Sequence, residues 1–170
     1  MWKKIGSGKS SICYKKNNIV KKCYKKNDRE DSTKRMCNEI NALTLLKKYK
    51  YFPKIIKIDW ENLTIYMNYV GICIYHLPNK YITKTIFYQL KQIEKALKKK
   101  GIKHTDIHRT HIMLYKDTVS LIDFEKVIID EKIKTIYPKY IRARKNKKYS
   151  SFDSLKSSIM EQLTQNRYKN

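Results

Sequence analysis

Two aspartates in the second half of the chain are the side chains best suited to chemistry. Asp106 and Asp123 each have an isoleucine beside them and lie in otherwise apolar stretches. A β-hairpin that turns at Asp117-Thr118 fits the spacing between them and would bring both carboxylates to one end of a small sheet. One such carboxylate can orient an attacking hydroxyl while the other holds a metal on phosphates, which is what phosphoryl transfer needs.

The segment that holds these aspartates resembles the catalytic region of the protein kinase-like superfamily. Residues 104–111 correspond to the superfamily motif H-x-D-x-x-x-x-N, and Asp123-Phe124-Glu125 corresponds to D-F-G with a glutamate in place of the glycine. The resemblance implies that Asp106 orients the substrate hydroxyl and that Asp123 holds Mg²⁺, or alternatively Mn²⁺, on the phosphates of ATP. It also implies that His104 buttresses the catalytic loop.

Two histidines depart from the commonest kinase pattern. His108 stands where common protein kinases have a lysine, and H-x-D-x-H followed by I-D-F-E is similar to aminoglycoside phosphotransferase and choline kinase sequences; we include His108 among the candidate catalytic residues. His111 stands where the family has a metal-binding asparagine. Because a neutral imidazole can ligate a metal, although it suits Zn²⁺ better than Mg²⁺, we assign His111 to the metal site beside Asp123. The pattern is also similar to a small archaeal group of predicted serine/threonine kinases.

The N-terminal residues resemble the Gly-rich loop that covers the phosphates of ATP. Gly6, Ser7, Gly8 and Lys9 are the candidate phosphate-binding residues, because two glycines let a backbone approach phosphate closely. The third glycine of that motif is Ser11 here, which implies a tighter loop. GSGKS also mimics a Walker A loop, but the first glycine of that motif is missing and no strand is predicted before it.

The next strand resembles V-A-I-K, whose lysine contacts the α- and β-phosphates and pairs with a helix glutamate. We choose Lys21 for this role and keep Lys22, on the opposite face of the strand, as the alternative. The only acidic residue in a predicted helix over 33–48 is Glu39, which we take as the partner. Met67 and Tyr69 lie in a segment that resembles the hinge, whose backbone would bind adenine.

The order of elements fits the same family. Strands are predicted near 12–14, 19–24, 55–58 and 63–67, and further helices over 83–100 and 151–164. The resemblance implies an α+β, two-lobed protein kinase-like fold, with a β-rich N-lobe over residues 1–70 and a reduced helical C-lobe over residues 71–170. Asp153, at the start of the last helix, is either the helix aspartate that steadies the catalytic loop or a carboxylate favoured by the helix dipole.

A zinc site is the alternative interpretation of the catalytic segment. His104, His108 and His111 lie within eight residues of one another together with Asp106. In a helix the three imidazoles would share a face and could bind a hydrolytic metal. The apolar residues between them and the match at Asp123 favour a loop and strand instead.

The charge of the chain is extreme. Lys+Arg number 39 and Asp+Glu 15, which gives a formal net charge of +24. Such a field attracts an acidic protein or nucleic acid, although a coding bias toward A and T explains the lysines equally well. The one dense basic cluster is KYIRARKNKK, residues 139–148. There is no apolar run of membrane-spanning length, no signal-peptide core and no C-x-x-C pair, so we expect a cytoplasmic protein with reduced thiols and no membrane contact.

These features predict an ATP-dependent phosphotransferase, foremost a minimal serine/threonine protein kinase. A small-molecule phosphotransferase is the alternative supported by H-x-D-x-H and I-D-F-E, although such enzymes carry larger substrate-binding lobes. A pseudokinase or basic nucleic-acid-binding module is favoured by the departures at His111 and Ser11. It is opposed by the presence of Glu39, Asp106 and Asp123 together with the strand lysine.

Overall fold

A five-stranded antiparallel sheet forms the first half of the molecule. The computed structural model describes residues 1–137 and 151–165, so the basic cluster at 139–148 lies outside the described residues. The strands are β1 (Lys3–Ser7), β2 (Ser11–Lys16), β3 (Ile19–Tyr24), β4 (Ile55–Asp59) and β5 (Thr64–Asn68). Their order across the sheet is β1-β2-β3-β5-β4. The sheet therefore places β3, with its two lysines, at its centre.

The helix α1 (Arg29–Leu45) connects β3 to β4. Its N-cap is Asp28, whose side chain accepts a hydrogen bond from the backbone N–H of Asp31 at 3.0 Å. The predicted start near Thr33 was therefore too late, because the sequence DxxD offers an earlier capping carboxylate than the Ser-Thr pair that suggested the start. The extra turn does not change the register of the helix, and Glu39 remains near its middle.

The second half combines two described helices with short strands. The helices are α2 (Lys84–Lys99) and α3 (Phe152–Gln165). The strands are β6 (Ile72–Cys73), β7 (Ile102–His104), β8 (Ile112–Tyr115), β9 (Thr118–Leu121) and β10 (Val127–Ile129). The β6, β8 and β9 strands form one antiparallel sheet, and β7 pairs with β10. The hairpin between the two aspartates is present, with Lys116-Asp117 as its two-residue loop, one position earlier than predicted.

The boundaries of α2 match the prediction closely. Thr83 precedes it as the N-cap, and Gly101 follows it with a φ of +58°, the left-handed conformation that glycine adopts readily. Its apolar stripe, Ile86, Leu90, Ile93 and Leu97, is buried. A 3.6-residue period of this strength is a reliable sequence signal because burial of a helix depends directly on it.

One continuous apolar core connects the two halves. Phe52, before β4, packs edge-on against Phe124 with 5.7 Å between ring centroids, and Phe124 packs on His104 at 5.0 Å. Gly71 follows the sheet with a φ of +110°, and a Cβ there would lie 2.1 Å from the carbonyl oxygen of Leu114. The chain crosses from one half to the other at this close approach, which only glycine permits.

Two observations concern the helices and the cysteines. Among the described helices, none is long and apolar enough to span a membrane. Cys13, Cys23, Cys37 and Cys73 are free cysteines, and Cys37 is buried.

Candidate functional site

The buried ammonium group of Lys22, on β3, lies at the centre of the site. Lys22 Nζ is 2.7 Å from Glu39 Oε2, 2.8 Å from Asp123 Oδ1 and 3.6 Å from Glu125 Oε1. Glu39 comes from α1, and the two other carboxylates come from the segment after β9. Three elements that are distant in sequence are therefore held together by one cation.

These groups shift one another's ionisation. Burial opposes the charge of Lys22, but the surrounding carboxylates outweigh it and raise its pKa well above the usual value. Burial also opposes the charge of Asp123, but the charge of Lys22 prevails and lowers the pKa of Asp123. The pKa of Glu125 is raised, first by burial and then, against the effect of Lys22, by the charge of Asp123. Lys22 and Asp123 are therefore both charged, and Glu125 takes up a proton more readily than Asp123 does.

The structure corrects the choice of Lys21 as the lysine that pairs with Glu39. Lys21 lies on the opposite face of β3, where its ammonium group is 4.9 Å from the ring centroids of Trp2 and Tyr14. Side chains alternate between faces along a strand, so only one of two adjacent lysines can face α1. That lysine is Lys22, which the sequence offered as the alternative.

The backbone at Asp123 has an unusual conformation. Its φ of 69° and ψ of 65° are left-handed, which aspartate tolerates better than most residues and which costs on the order of 1 kcal/mol. The next N–H, of Phe124, points to Glu39 Oε1 at 3.4 Å. The left-handed conformation of Asp123 thus turns the chain so that the N–H of the following residue faces Glu39 of α1.

His104 supports the loop that carries Asp106, as the resemblance implied. Its Nδ1 accepts a hydrogen bond from the backbone N–H of Asp106 at 3.3 Å, and its Nε2 lies 3.3 Å from the carbonyl oxygen of Ile122. Burial lowers the pKa of His104 to about 4, with the nearby His111 contributing. The ring is therefore neutral at physiological pH and connects the two aspartate-bearing segments.

The Asp106 carboxylate is held by two cation-capable side chains. Lys126 Nζ lies 2.9 Å from Oδ2, and His108 Nε2 lies 2.8 Å from Oδ1. Burial opposes ionisation of Asp106, but the hydrogen bond and charge of Lys126 outweigh it, so the pKa of Asp106 is lowered. Sequence inspection missed Lys126, although a lysine directly after I-D-F-E was a signal, because only the pairing of β7 with β10 shows that it reaches Asp106.

His111 bridges the two aspartates. Its Nδ1 lies 2.8 Å from the backbone carbonyl oxygen of Asp106, and its Nε2 lies 3.4 Å from Asp123 Oδ2. A carbonyl oxygen can only accept, so Nδ1 carries the proton, and in the neutral ring Nε2 keeps its lone pair. Nε2 of His111 and the Asp123 carboxylate therefore lie side by side.

This donor set fits a divalent cation. An unprotonated imidazole nitrogen and a carboxylate oxygen, side by side and partly exposed, are ligands that Mn²⁺ and related ions accept, and phosphate oxygens complete such a shell. The carbonyl that fixes the His111 tautomer is the kind of outer partner found on metal-bound histidines. The independent zinc site is not supported, because no group of three or more metal-binding side chains occurs among the described residues.

The residues of the Gly-rich loop lie at the end of β1, which holds Gly6 and Ser7, and in the turn to β2, which holds Gly8 and Lys9. Ser7 still pairs with Ile12, and the Gly8 N–H donates to the Ser11 carbonyl at 2.9 Å. Ser10 Oγ donates to Glu125 Oε1 at 2.8 Å, so the loop is tied to the segment after Asp123. Lys9 is exposed at the tip. The sequence suggested a tight loop, but not that Glu125, in place of a glycine, would hold it.

The two glycines of this loop are not required by the packing of the chain itself. A Cβ at Gly6 would lie 4.0 Å from its nearest neighbour, and one at Gly8 would lie 3.9 Å from the nearest atom. Both are ordinary contact distances, and neither glycine has a positive φ. Glycine at these positions therefore leaves room on the surface of the loop.

The predicted hinge is only partly available for a ligand. Met67 lies in β5 opposite Val20, on the face of the sheet that carries Lys22, and is almost fully buried. The backbone N–H of Tyr69 already donates to the Asn18 carbonyl at 2.7 Å. That donor is thus engaged within the chain, so the assignment of Tyr69 to adenine binding would have to use another atom.

Asp153 does not contact the loop that carries Asp106. Its side chain is 90% exposed and contacts Lys156 at 3.2 Å. The position near the helix start, favoured by the dipole, is therefore the correct interpretation. The helix α3 instead reaches the loop through Arg109, whose guanidinium donates to the Ser158 carbonyl at 3.5 Å.

Comparison with known proteins identifies the fold. No protein-family model matches the chain, and no curated protein matches it. Among solved structures, it is similar to the Rio2 kinase from Chaetomium thermophilum in its ADP/Mg²⁺-phosphoaspartate complex, with a TM-score of 0.56 and 19% identity. The match covers 74% of this chain and 47% of that chain, so the chain spans about half the length of that kinase. The predicted α+β protein kinase-like fold is confirmed.

Proposed function

We propose that this chain of protein kinase-like fold is an ATP-dependent phosphotransferase that transfers the γ-phosphate to a serine or threonine hydroxyl of a protein. The observation that carries the proposal is the connection of Lys22, Glu39 and Asp123 to the Asp106 loop through His111. A core needs none of these groups for its packing. Their convergence is what a phosphate-transfer site requires.

Lys22 is the phosphate-binding cation in this proposal. Glu39 holds the Lys22 ammonium group in place, and Tyr24 in turn holds Glu39. The Tyr24 hydroxyl donates to Glu39 Oε2, the same oxygen that accepts a hydrogen bond from Lys22 Nζ. This arrangement fixes the ammonium group, so that it meets an α- or β-phosphate without reorganising. The room left on the loop at Gly6 and Gly8 allows the backbone to approach the same phosphates.

Asp106 orients the acceptor hydroxyl. Because its pKa is lowered, its carboxylate is ionised and weakly basic, which suits accepting a hydrogen bond first and the proton late in transfer. Its carboxylate is 28% exposed, so an incoming hydroxyl can reach it. The adjacent Lys126 ammonium lies where it can offset negative charge on the transferred phosphoryl group.

Asp123 and His111 would hold the divalent cation, Mg²⁺ or Mn²⁺. When bound, that cation supplies charge neutralisation between the phosphates. The need for it follows from charge, since Lys22 and Arg35 together face three carboxylates and the remaining negative charge would otherwise repel a nucleotide. Met67 and Tyr69 remain the proposed adenine contacts. The backbone N–H of Tyr69 already donates to Asn18, so Tyr69 would contact adenine through another atom.

An acidic protein is the proposed acceptor. The net charge of +24 favours approach of an acidic chain. His108, whose side chain is 57% exposed beside Asp106, lies where it would meet the acceptor and is proposed to help hold the catalytic carboxylate. A cytoplasmic location remains part of the proposal.

Substitution of the proposed base tests this function. In Asp106→Asn, transfer from labelled ATP to an acidic serine-containing peptide should fall at least about 100-fold, the usual order for loss of a general base. Binding of a non-hydrolysable ATP analogue, measured by thermal shift, should be retained. The matched control is Asp117→Asn, in the exposed turn of the same hairpin, which should keep full transfer. An Asp106→Asn protein with full transfer would overturn the assignment.

A further inference from the structure

A row of alternating lysine and tyrosine side chains crosses the outer face of the five-stranded sheet. Lys4 on β1 pairs with Tyr14 on β2, Tyr14 pairs with Lys21 on β3, Lys21 pairs with Tyr66 on β5, and Tyr66 pairs with Lys57 on β4. We call these five residues the Lys–Tyr row. Paired residues in adjacent strands project from the same face, so the row lies opposite the face that holds Lys22.

Aromatic and cationic groups touch one another along this row. The Trp2 ring packs edge-on against Tyr66 at 6.1 Å between centroids. The Lys21 ammonium group lies 4.9 Å from the centroids of both Trp2 and Tyr14, and that of Lys57 lies 5.9 Å from Tyr66. Three rings and three ammonium groups therefore share one face of a sheet, and the rings are only partly buried.

The row lacks salt bridges to carboxylates among the described residues, although the charge of Lys57 acts on that of nearby Asp59. The acidic residue on the same face is Asp59, beside Lys57 in β4, and its carboxylate accepts hydrogen bonds from the N–H and side-chain amide of Asn62 at 3.0 and 3.1 Å. A cation–π contact alone would explain one lysine over one ring, but not a row without salt bridges across every strand.

We propose that the Lys–Tyr row and Trp2 form a binding face for single-stranded nucleic acid. Bases would stack on Trp2, Tyr14 and Tyr66, and phosphates would pair with the lysines between them. Like residues recur about every 10 Å across the sheet, since adjacent strands lie about 4.8 Å apart. A single strand fits because its unpaired bases are free to stack on a flat aromatic surface, whereas a duplex hides them.

The lysines that now lie over the rings do not block this face. Their side chains are long and flexible, and a phosphate draws the ammonium group away from the ring toward a stronger partner. An acidic protein segment would use the same charges but would gain nothing from the ring faces. Dependence on the aromatic rings therefore distinguishes nucleic acid from an acidic protein.

The charge half of the proposal is tested by salt dependence. Binding of labelled 12-nucleotide RNA, DNA of the same sequence and the matching duplex is measured by fluorescence anisotropy over a range of salt. The triple variant K4Q/K21Q/K57Q should make the slope of log K against log salt less steep by about 2, at roughly 0.7 for each lost phosphate contact. The control K91Q/K95Q/K99Q, which removes the same charge from exposed positions of α2, should leave the slope unchanged. The RNA and DNA arms show which sugar is preferred.

The stacking half is tested without changing charge. Tyr66→Leu and Tyr14→Leu should each weaken single-strand binding about 5- to 150-fold, the range for loss of one stacked base, while the salt slope stays constant. In a Trp60→Phe background, which leaves Trp2 as the reporting indole, the strand should quench tryptophan fluorescence. Thermal melting checks that each variant is folded. The quenching experiment keeps both tyrosines, so it tests the face independently of the tyrosine variants.

Several outcomes would overturn the proposal. These are equal salt slopes for the two lysine triples, duplex binding as tight as single-strand binding, or no detectable binding of either strand. Affinity that survives both tyrosine substitutions, together with competition by a polyglutamate peptide, would assign the face to an acidic protein instead.

Discussion

The Lys22 ammonium group controls the electrostatics of the site at the scale of single residues. It is the cation that keeps Glu39, Asp123 and Glu125 together in a buried space. Removal of one partner from such a cluster lowers the free energy of unfolding by more than the intact cluster contributes to it. The reason is that the remaining charges stay buried without a partner. Structural and proposed catalytic roles therefore coincide at this residue.

Substitution of the two adjacent lysines separates these roles. Lys22→Met should remove phosphotransfer and lower the free energy of unfolding by roughly 3–5 kcal/mol, since it leaves buried carboxylates unpaired. Lys21→Met should retain transfer, because its ammonium group lies on the other face of the sheet. Transfer rates and thermal melts of both variants check this.

A milder substitution guards against misfolding of Lys22→Met. Lys22→Arg keeps the charge but not the compact ammonium geometry, so it should fold and still lose most transfer. Full transfer in either Lys22 variant, or its loss in Lys21→Met, would restore Lys21 as the phosphate-binding lysine.

His104 makes stability depend on pH. Its folded pKa of about 4 lies below its ordinary value of 6.5, so the unfolded chain binds the proton more readily. Its contribution is fully present above pH 6.5 and is lost as the pH falls toward 4, by about 3 kcal/mol in total. Urea titrations of the wild type and His104→Gln between pH 4 and 7.5 measure it. A difference between the two proteins that does not vary with pH would contradict the buried neutral ring.

His111 should set the metal preference of transfer. An imidazole ligand favours Mn²⁺ relative to the harder Mg²⁺, so His111→Asn should raise the ratio of Mg²⁺- to Mn²⁺-supported activity by roughly tenfold. Electron paramagnetic resonance of the Mn²⁺–ADP complex should show nitrogen coupling in the wild type alone. The matched control is His108→Asn, whose ring faces Asp106 and not Asp123. Complete inactivity of His111→Asn with both metals would give the imidazole a different role.

At the scale of elements, the segment after β9 connects all parts of the site. Asp123 and Glu125 contact β3, the Asn38 side chain of α1 donates to the Glu125 carbonyl at 3.2 Å, and Ser10 of the loop donates to Glu125. A glycine in the place of Glu125 would remove the carboxylate that holds the loop. The turn between β1 and β2 and the segment after β9 are therefore expected to move together in this chain.

Two glycines distinguish a structural requirement from a functional one. Gly71→Ala should lower stability by about 3 kcal/mol or more, because its φ is positive and the new Cβ would meet the Leu114 carbonyl at 2.1 Å. Gly8→Ala should leave stability nearly unchanged but weaken ATP binding. Thermal melts with and without an ATP analogue make the comparison. Equal losses of stability in the two variants would contradict it.

The sequence specified the elements better than the contacts between them. The period of α2 and the glycine after it located that helix almost to the residue, and the hairpin between the aspartates was predicted apart from a one-residue shift of its turn. The choice of Lys21 over Lys22 as the partner of Glu39 was wrong, since alternation along a strand is visible in sequence but its phase relative to α1 is not. Lys126 and Glu125 acquired their partners only through tertiary packing.

At the scale of the whole molecule, opposite faces of one sheet carry different chemistry. The inner face presents Lys22 to the carboxylates, and the outer face presents the Lys–Tyr row. Both are possible because side chains alternate between the two faces along a strand. In β3, Lys21 projects from the outer face and the adjacent Lys22 projects from the inner face. Variants of the outer face should therefore leave phosphotransfer intact, and variants at Asp106 should leave strand binding intact.

The most direct measurement is incubation of the purified chain with γ-labelled ATP and Mg²⁺ or Mn²⁺, beside Asp123→Ala. Labelled protein or released phosphate should appear with the wild type and disappear with the variant, because Asp123 is proposed to hold the cation on the phosphates. Turnover that survives in Asp123→Ala, or an absence of turnover with every metal and acceptor while ATP still binds, would contradict the assignment of a phosphotransferase.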